Sequence, residues 1–348
     1  MQPKNKPINI LGIETSCDET AAAVVADGRV VKSSVVASQT KLHEKYGGVV
    51  PEIASRAHIE NIYPVISEAI AQAGIDKNDI DAIAVANQPG LTVALIVGVT
   101  AAKTLSFVWE KPLIAIDHLH AHMQSAILGR DELQLPAVAL IVSGGHTSLY
   151  DYRSVLEPKL LGSTIDDAAG EAFDKVATIL NLPYPGGPAI EKTAKNGNPK
   201  AIEFPRSMLG KDSLDFSFSG IKTAVLYHCR GQDMKGENRV CQMSEQEIAD
   251  VAASYQAAVV AVLVGKTLRA AEKIGAETIL LGGGVAANAT LRDALQQMCE
   301  SAVPAKKLLV APKQYCTDNA VMVASLAYYK FREKLFADLT LEPKAHSE

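Results

Sequence analysis

The order of apolar runs that begins at Ile8 begins again at Pro136, and this duplication restricts the chain to folds built from two copies of one unit. In the first stretch, Ile8 to Glu14, Thr20 to Ala26 and, after the turn signal Asp27-Gly28, Arg29 to Val36 read as three strands. A helix from about Ile53 to Ala73, a strand at Ala82 to Ala86, a helix from about Val93 to Trp109 and a strand at Leu113 to Ile116 follow. In the second stretch, Ala137 to Val142 is a strand, Gly144-Gly145 a tight turn, His146 to Tyr152 the return, and Lys159 to Ser163 the third strand. Helices are predicted near Asp167 to Leu180 and Glu245 to Ile274, the second apolar almost all round and therefore buried. A strand at Thr278 to Leu281, a helix at Asn288 to Cys299, a strand at Leu308 to Val310 and a final helix at Asp318 to Lys334 complete the pattern.

The predicted class is α/β, with two duplicated βββαβα domains and a ligand cleft between them. Residues 1–134, completed by a C-terminal helix at 318–348, form the first domain; residues 135–317 form the second, with an insertion at about 181–244. Each domain opens on a hairpin whose turn is small and polar, Glu14 to Thr20 and Val142 to Thr147, where backbone N–H groups and hydroxyls suit phosphate oxygens. Within the insertion, Pro183 to Pro188 reads as a rigid turn, Asp215 to Gly220 as a polar and aromatic loop, and Gly231 to Gly236 as exposed and mobile.

A net charge of -5 over 348 residues argues against an autonomous nucleic-acid binder, whose phosphate attraction shows as a basic excess. An RNA substrate would need a local basic surface or one supplied by a partner. The five cysteines are odd in number and form no C-x-x-C pair, which fits reduced thiols in a cytosol. Met1 to Pro7 lacks the apolar core of an export signal, and the uncharged stretch Ala82 to Ala102 is interrupted by Asn87, Gln88, Pro89 and Gly90. It reads as strand, loop and helix rather than a membrane span.

Three of the chain's eight histidines fall at positions 118, 120 and 122. On a helix His118 and His122 share a face while His120 points elsewhere, which is half of a metal site or a self-satisfied histidine cluster. The general base of an H-E-x-x-H peptidase would sit at position 119, which is leucine.

Gly282 to Asn288 follows a strand and opens a helix, the arrangement of an anion site, although it is not a G-x-G-x-x-G fingerprint. Asn288 would cap that helix or read a ligand. Before the last helix, Thr317 or Asp318 reads locally as an N-cap, and Asp318 becomes a metal candidate only if both halves meet at one cleft. Asp174 lies in an alternating charge run that suits either a solvated face or contact with ligand hydroxyls. Asp18 and Glu19 are turn residues or groups that polarise a reacting amine.

Taken in order, GIETSCDET (12–20), PEIASRAHIE (51–60), the histidine pair, VSGGHT (142–147), GEAFDKVA (170–177), PYPGGPAIE (183–191), DFSFSGIKTAV (215–225), GGGVAAN (282–288) and CTDNA (316–320) resemble one family across nearly the whole chain. It is the tRNA adenosine threonylcarbamoyltransferases, whose RNase H-like domains belong to the actin, hexokinase and Hsp70 class. The resemblance implies one divalent metal per chain, Fe2+ first and Zn2+ as the alternative, held by His118, His122 and Asp318. It implies an adenylate held by Ile141, Val142, Ser143, Gly144, Gly145, Asp174, Gly187, Glu191 and Asn288, with Asp18 and Glu19 as candidate catalytic acids. The implied reaction moves a threonylcarbamoyl group from threonylcarbamoyl-AMP to the exocyclic amine of the adenosine beside the anticodon of tRNA, releasing AMP. The implied setting is the bacterial cytoplasm, without a membrane, in company with a smaller paralogous subunit and a small ATPase. One departure is local: many relatives carry Glu and Gly between the histidines, where this chain has His120 and Ala121. Two other enzyme classes fit the same scaffold, a metal-dependent glycoprotein endopeptidase and an ATP-dependent kinase using Asp18 as base. A non-catalytic nucleotide-binding scaffold is the third alternative.

Overall fold

The computed structural model describes residues 6–130, 133–210, 212–231 and 239–347. The described strands are β1 (Asn9–Glu14), β2 (Glu19–Ala26), β3 (Val30–Ser38), β4 (Ala82–Gln88), β5 (Leu113–Asp117), β6 (Ala137–Val142), β7 (Thr147–Tyr152), β8 (Lys159–Ser163), β9 (Thr278–Gly282) and β10 (Lys307–Val310). The helices are α1 (Thr40–His43), α2 (Pro51–Ala73), α3 (Thr92–Trp109), α4 (His118–Ile127), α5 (Ala169–Ile179), α6 (Gly186–Ala194), α7 (Ser219–Arg230), α8 (Glu245–Ile274), α9 (Ala289–Ser301) and α10 (Ala320–Arg332). Contacts divide the chain into two units, Met1–Asp131 with Pro312–Glu348, and Glu132–Ala311.

The first unit is a five-stranded sheet in the order β3-β2-β1-β4-β5. β1 and β2 form an antiparallel hairpin with Asn9 opposite Ala26 and Glu14 opposite Ala21, and β4 and β5 join in parallel. Parallel neighbours need crossovers, which α2 and α3 provide. All six residues of β1 are buried, as expected of a central strand covered on both faces. Side-chain alternation sorts those faces: Leu11 and Ile13 pack with Val65, Ile66, Ala69 and Val99 of α2 and α3. Gly12, on the other face, lies against Ala320 and Ala324 of α10, where any side chain would collide with helix backbone.

The expected helix at 318–348 is shorter than its span. α10 ends at Arg332, Lys334 takes a left-handed φ of 56°, and the following segment turns back along the sheet. Ala337 N–H donates to the Leu113 carbonyl (2.9 Å) in an isolated antiparallel bridge and Lys344 N–H to that of Asn87 (2.8 Å), so irregular chain tied to β5 and β4 replaces the helix.

The second unit repeats the topology, with sheet order β10-β9-β6-β7-β8. β6 and β7 are an antiparallel hairpin, and β9 and β10 add in parallel. α8 starts at a capping box, in which Ser244 and Glu247 each satisfy the other's backbone N–H, and stops at Gly275 in the left-handed region (φ 69°). α3 and α8 are long and apolar enough to cross a membrane, but α8 is mostly buried and Phe173 meets its Tyr255 edge to face at 5.3 Å.

The insertion holds more regular structure than its composition predicts. Pro183 to Pro188 is not only a turn, since α6 starts at Gly186 with Pro188 in its first turn, a position that needs no intrahelical donor. Ser219 and Gly220, read as loop, open α7. Buried Lys266 of α8 donates to the carbonyls of Met208 and Ser213, both at 3.0 Å, and so pins the segment between α6 and α7. Of the stretch Gly231 to Gly236, residues 232–236 lie outside the described residues.

Candidate metal centre and adenylate elements

β5 ends at Asp117, whose carboxylate Oδ1 accepts the N–H groups of Leu119 (2.8 Å) and His120 (3.0 Å) and so starts α4 at His118. His118 and His122 then stand one turn apart, their ring centroids 4.6 Å from each other and their planes at 83°. Both are buried, as is Leu119, which leaves no general base at the position a zinc peptidase requires.

The third group arrives from the far end of the sequence. Asp318 Oδ1 lies 3.1 Å from His122 Nε2 and 3.4 Å from His118 Nε2. The local reading of Thr317 or Asp318 as helix cap is corrected: Asn319 caps α10, its Oδ1 accepting Met322 N–H at 3.1 Å. That shift of one residue leaves the Asp318 carboxylate to the histidines. The three donor atoms lie within 4.8 Å of one another. Zinc bonds of about 2.0–2.1 Å in tetrahedral geometry place neighbouring donors roughly 3.3 Å apart, a spacing that the 3.1 and 3.4 Å between Asp318 Oδ1 and the two rings match, so these donors can share a divalent cation.

The electrostatics point the same way. Burial disfavours a charged His118, but the carboxylates of Glu14 and Asp318 on its two sides outweigh burial and hold its pKa well above the ordinary imidazole value. Burial and the neighbouring His118 charge keep His122 low. Although burial opposes ionisation of Asp318, the His118 charge and the hydrogen bonds of both rings hold its carboxyl far below the usual range. Among the described residues, the buried His122 Nδ1 has no hydrogen-bond partner.

The acidic turn between β1 and β2 belongs to the same unit. Glu19 accepts a hydrogen bond from Ser38 Oγ (2.8 Å), and burial followed by the charges of Asp18 and Asp318 pushes its carboxyl up to about 9. The turn is held from behind. His58 Nε2 donates to the Cys17 carbonyl (3.0 Å), His58 Nδ1 pairs with Thr20 Oγ1 (2.8 Å), and Gln39 N–H donates to the Asp18 carbonyl (3.0 Å). Read alone, the sequence assigns His58 and Gln39 no role and places Glu14 and Ser16 only in a phosphate-suited turn; the visible signal is a glutamate closing an apolar strand and a histidine in PEIASRAHIE.

In the second unit, Ile141 and Val142 end β6, and the turn closes with Ser143 N–H on the His146 carbonyl at 2.8 Å. Gly144 and Gly145 face open space, and the carbonyls of Ser143 and Gly144 accept the N–H groups of Gly170 and Glu171 at the start of α5. Asp174 accepts Gly186 N–H (2.7 Å), fixing the start of α6, beside which Gly187 faces open space. Glu191 accepts Ala289 N–H (2.9 Å), while Asn288 caps α9 through Leu291 N–H (3.0 Å) and donates to Gln256 Oε1 (2.9 Å). These residues thus link α5, α6, α8 and α9 in one polar run. The three glycines do not open α9 directly: Gly284–Ala287 is a 3-10 turn, and Gly283 takes φ 91° against the Val142 carbonyl, where only glycine fits.

The family model for tRNA N6-adenosine threonylcarbamoyltransferase matches residues 30–325. A protein of that name from Moorella thermoacetica is 53% identical over 333 residues, 96% of this chain and 95% of the relative. One from Thermomicrobium roseum is 51% identical over 355 residues, 97% of this chain and 96% of the relative. The solved structure of T. kodakarensis HypF matches with a TM-score of 0.61 at 14% identity, over 98% of this chain and 51% of HypF, a likeness of fold alone.

Proposed function

The chain belongs to the tRNA N6-adenosine threonylcarbamoyltransferase family, and on that premise we propose that it forms threonylcarbamoyladenosine in tRNA with the help of a divalent cation. The threonylcarbamoyl group passes from threonylcarbamoyl-AMP to the exocyclic amine of the adenosine beside the anticodon, in tRNAs that read codons starting with adenine. The observation that carries the metal-assisted form is the convergence of His118, His122 and Asp318.

The amine lone pair attacks the carbamoyl carbon, the bond from that carbon to the phosphate oxygen breaks, and AMP leaves with the electron pair. Asp18 accepts the amine proton. Glu19, whose carboxyl burial and the Asp18 and Asp318 charges push up in the metal-free chain, is assigned to substrate positioning rather than to the base role. The adenylate is assigned to Ile141 to Gly145, Asp174, Gly187, Glu191 and Asn288, whose open glycines let backbone approach a phosphate. His118, His122 and Asp318 hold the cation, Fe2+ or Zn2+, which supplies Lewis acidity toward a carbonyl or the leaving phosphate.

The chain works in the cytoplasm with a smaller paralogous subunit and a small ATPase. An odd number of cysteines without a C-x-x-C pair supports the compartment. The partner reading draws on exposed apolar side chains of the two sheet-covering helices, Ile59 and Tyr63 of α2 and Ile96 and Phe107 of α3, and on a net charge of -5, which leaves a basic tRNA surface for others to complete.

The test is reconstitution with unmodified tRNA, threonine, bicarbonate, ATP and the enzyme that makes the activated intermediate, with and without the partners. Nucleoside digests should contain threonylcarbamoyladenosine only when this chain is present. Phosphorylation of a small molecule or glycoprotein cleavage without modified tRNA would reject the proposal.

A further inference from the structure

Glu14 closes β1 and is fully buried, a setting that is costly for a carboxylate unless its oxygens are bonded. Both are. Oε1 accepts the Ser16 N–H at 2.6 Å, and Oε2 lies 2.9 Å from His118 Nδ1, the ring nitrogen that faces away from Asp318. Ser16 Oγ stands 3.1 Å from the same nitrogen. A carboxylate only accepts, so the proton in the 2.9 Å contact belongs to the imidazole at Nδ1.

We propose that Glu14 is a positioning residue of the metal centre: it fixes His118 with the proton on Nδ1, so that the lone pair of Nε2 is presented toward Asp318 and His122. The inference rests on the metal reading above and adds a residue that does not touch the cation. The two histidines differ in this respect: among the described residues His122 Nδ1 has no hydrogen-bond partner, whereas His118 Nδ1 carries the Glu14 carboxylate behind it. Charge balance supports the arrangement. With both rings neutral, Glu14 and Asp318 together offset the two positive charges of a dication, so the buried site is neutral when filled.

The probe is Zn2+ alone, titrated calorimetrically into the full chain after chelator treatment. Loss of a partner that orients a ligating histidine weakens metal binding by about 10- to 100-fold, and that loss is expected for Glu14→Ala. Glu14→Gln keeps an acceptor for Nδ1–H but not the charge, so it should recover part of the affinity. A purely structural role would give no such grading. The second readout is a long-range proton–nitrogen spectrum of zinc-loaded wild type labelled at histidine, in which His118 should be metal-bound through Nε2 and protonated at Nδ1.

Zinc on Nδ1 of His118 overturns the assignment, even if Glu14→Ala does not fold. So does a folded Glu14→Ala variant that binds within about threefold of wild type, well inside the span expected for such a partner. If wild type binds zinc and Asp318→Ala does not, that second result rejects the role of Glu14 and leaves the metal reading standing. A wild type that takes up no zinc rejects both.

Discussion

His122 Nε2 and Asp318 Oδ1, 196 residues apart in sequence, lie 3.1 Å from each other. The contact depends on two helix starts set to the residue. Asp117 caps α4 so that His118 and His122 share its inner face, and Asn319 rather than Asp318 caps α10.

Asp117→Ala should remove the cap of α4 and cost about 1 kcal/mol of stability, read as a lower midpoint in urea unfolding. Asp117→Asn keeps an acceptor oxygen at the same place and should stay near wild type. Equal losses in the two variants would mean that the cap is not what the carboxylate contributes.

Gly283→Ala meets two obstacles. The residue sits at φ 91° and ψ 165°, a region essentially confined to glycine, and an added Cβ would press on the Val142 carbonyl. Strain of this kind is worth about 1–3 kcal/mol, so a clear fall in unfolding free energy is expected. A wild-type midpoint would contradict the close approach of β9 and β6.

Glu19 gives the metal-free protein a pH signature. Its carboxyl is raised from 4.5 to about 9, chiefly by burial, so between those values the folded chain keeps a proton that the unfolded chain has lost. Stability contributed by this group therefore falls as pH rises through that window. In Glu19→Gln the slope is absent, and the variant should gain on wild type from pH 5 to pH 9 in denaturant titrations. Parallel pH profiles would rule out the raised pKa.

Asn288→Asp separates the cap from the proposed adenylate contact. The carboxylate can still accept Leu291 N–H, and Gln256 can turn its amide to donate, because Thr290 Oγ1 can serve as donor as well as acceptor. Folding stability should change little. The added negative charge should weaken AMP binding at least about tenfold, equivalent to about 1.4 kcal/mol, in a calorimetric titration. Unchanged AMP affinity would count against Asn288 as an adenylate residue.

Much of the scaffold is legible in the residues because local signals agree with the tertiary outcome. The apolar runs of β1 and β6 end in small polar turns, and α8 is bracketed by a capping box and a left-handed glycine. α6 and α7 are less legible, since Gly186, Gly187, Pro188, Ser219 and Gly220 are turn formers in isolation and open helices only where tertiary packing completes them. The pairing of His118 and His122 follows from a helical spacing of four. Asp318 does not, because its local setting is that of a cap and only the family resemblance singles it out. Glu14 and His58 are invisible for a related reason: each acts through a strand or helix distant in sequence, and no spacing rule reaches that far.

The most direct measurement is the metal content of the chain, purified anaerobically without a metal-binding tag, compared with His118→Ala, His122→Ala and Asp318→Ala. Wild type should carry one divalent ion per chain and each variant far less, with folding preserved in far-ultraviolet dichroism. An Asp318→Ala protein that retains the full complement of metal would contradict the three-residue centre on which the account stands.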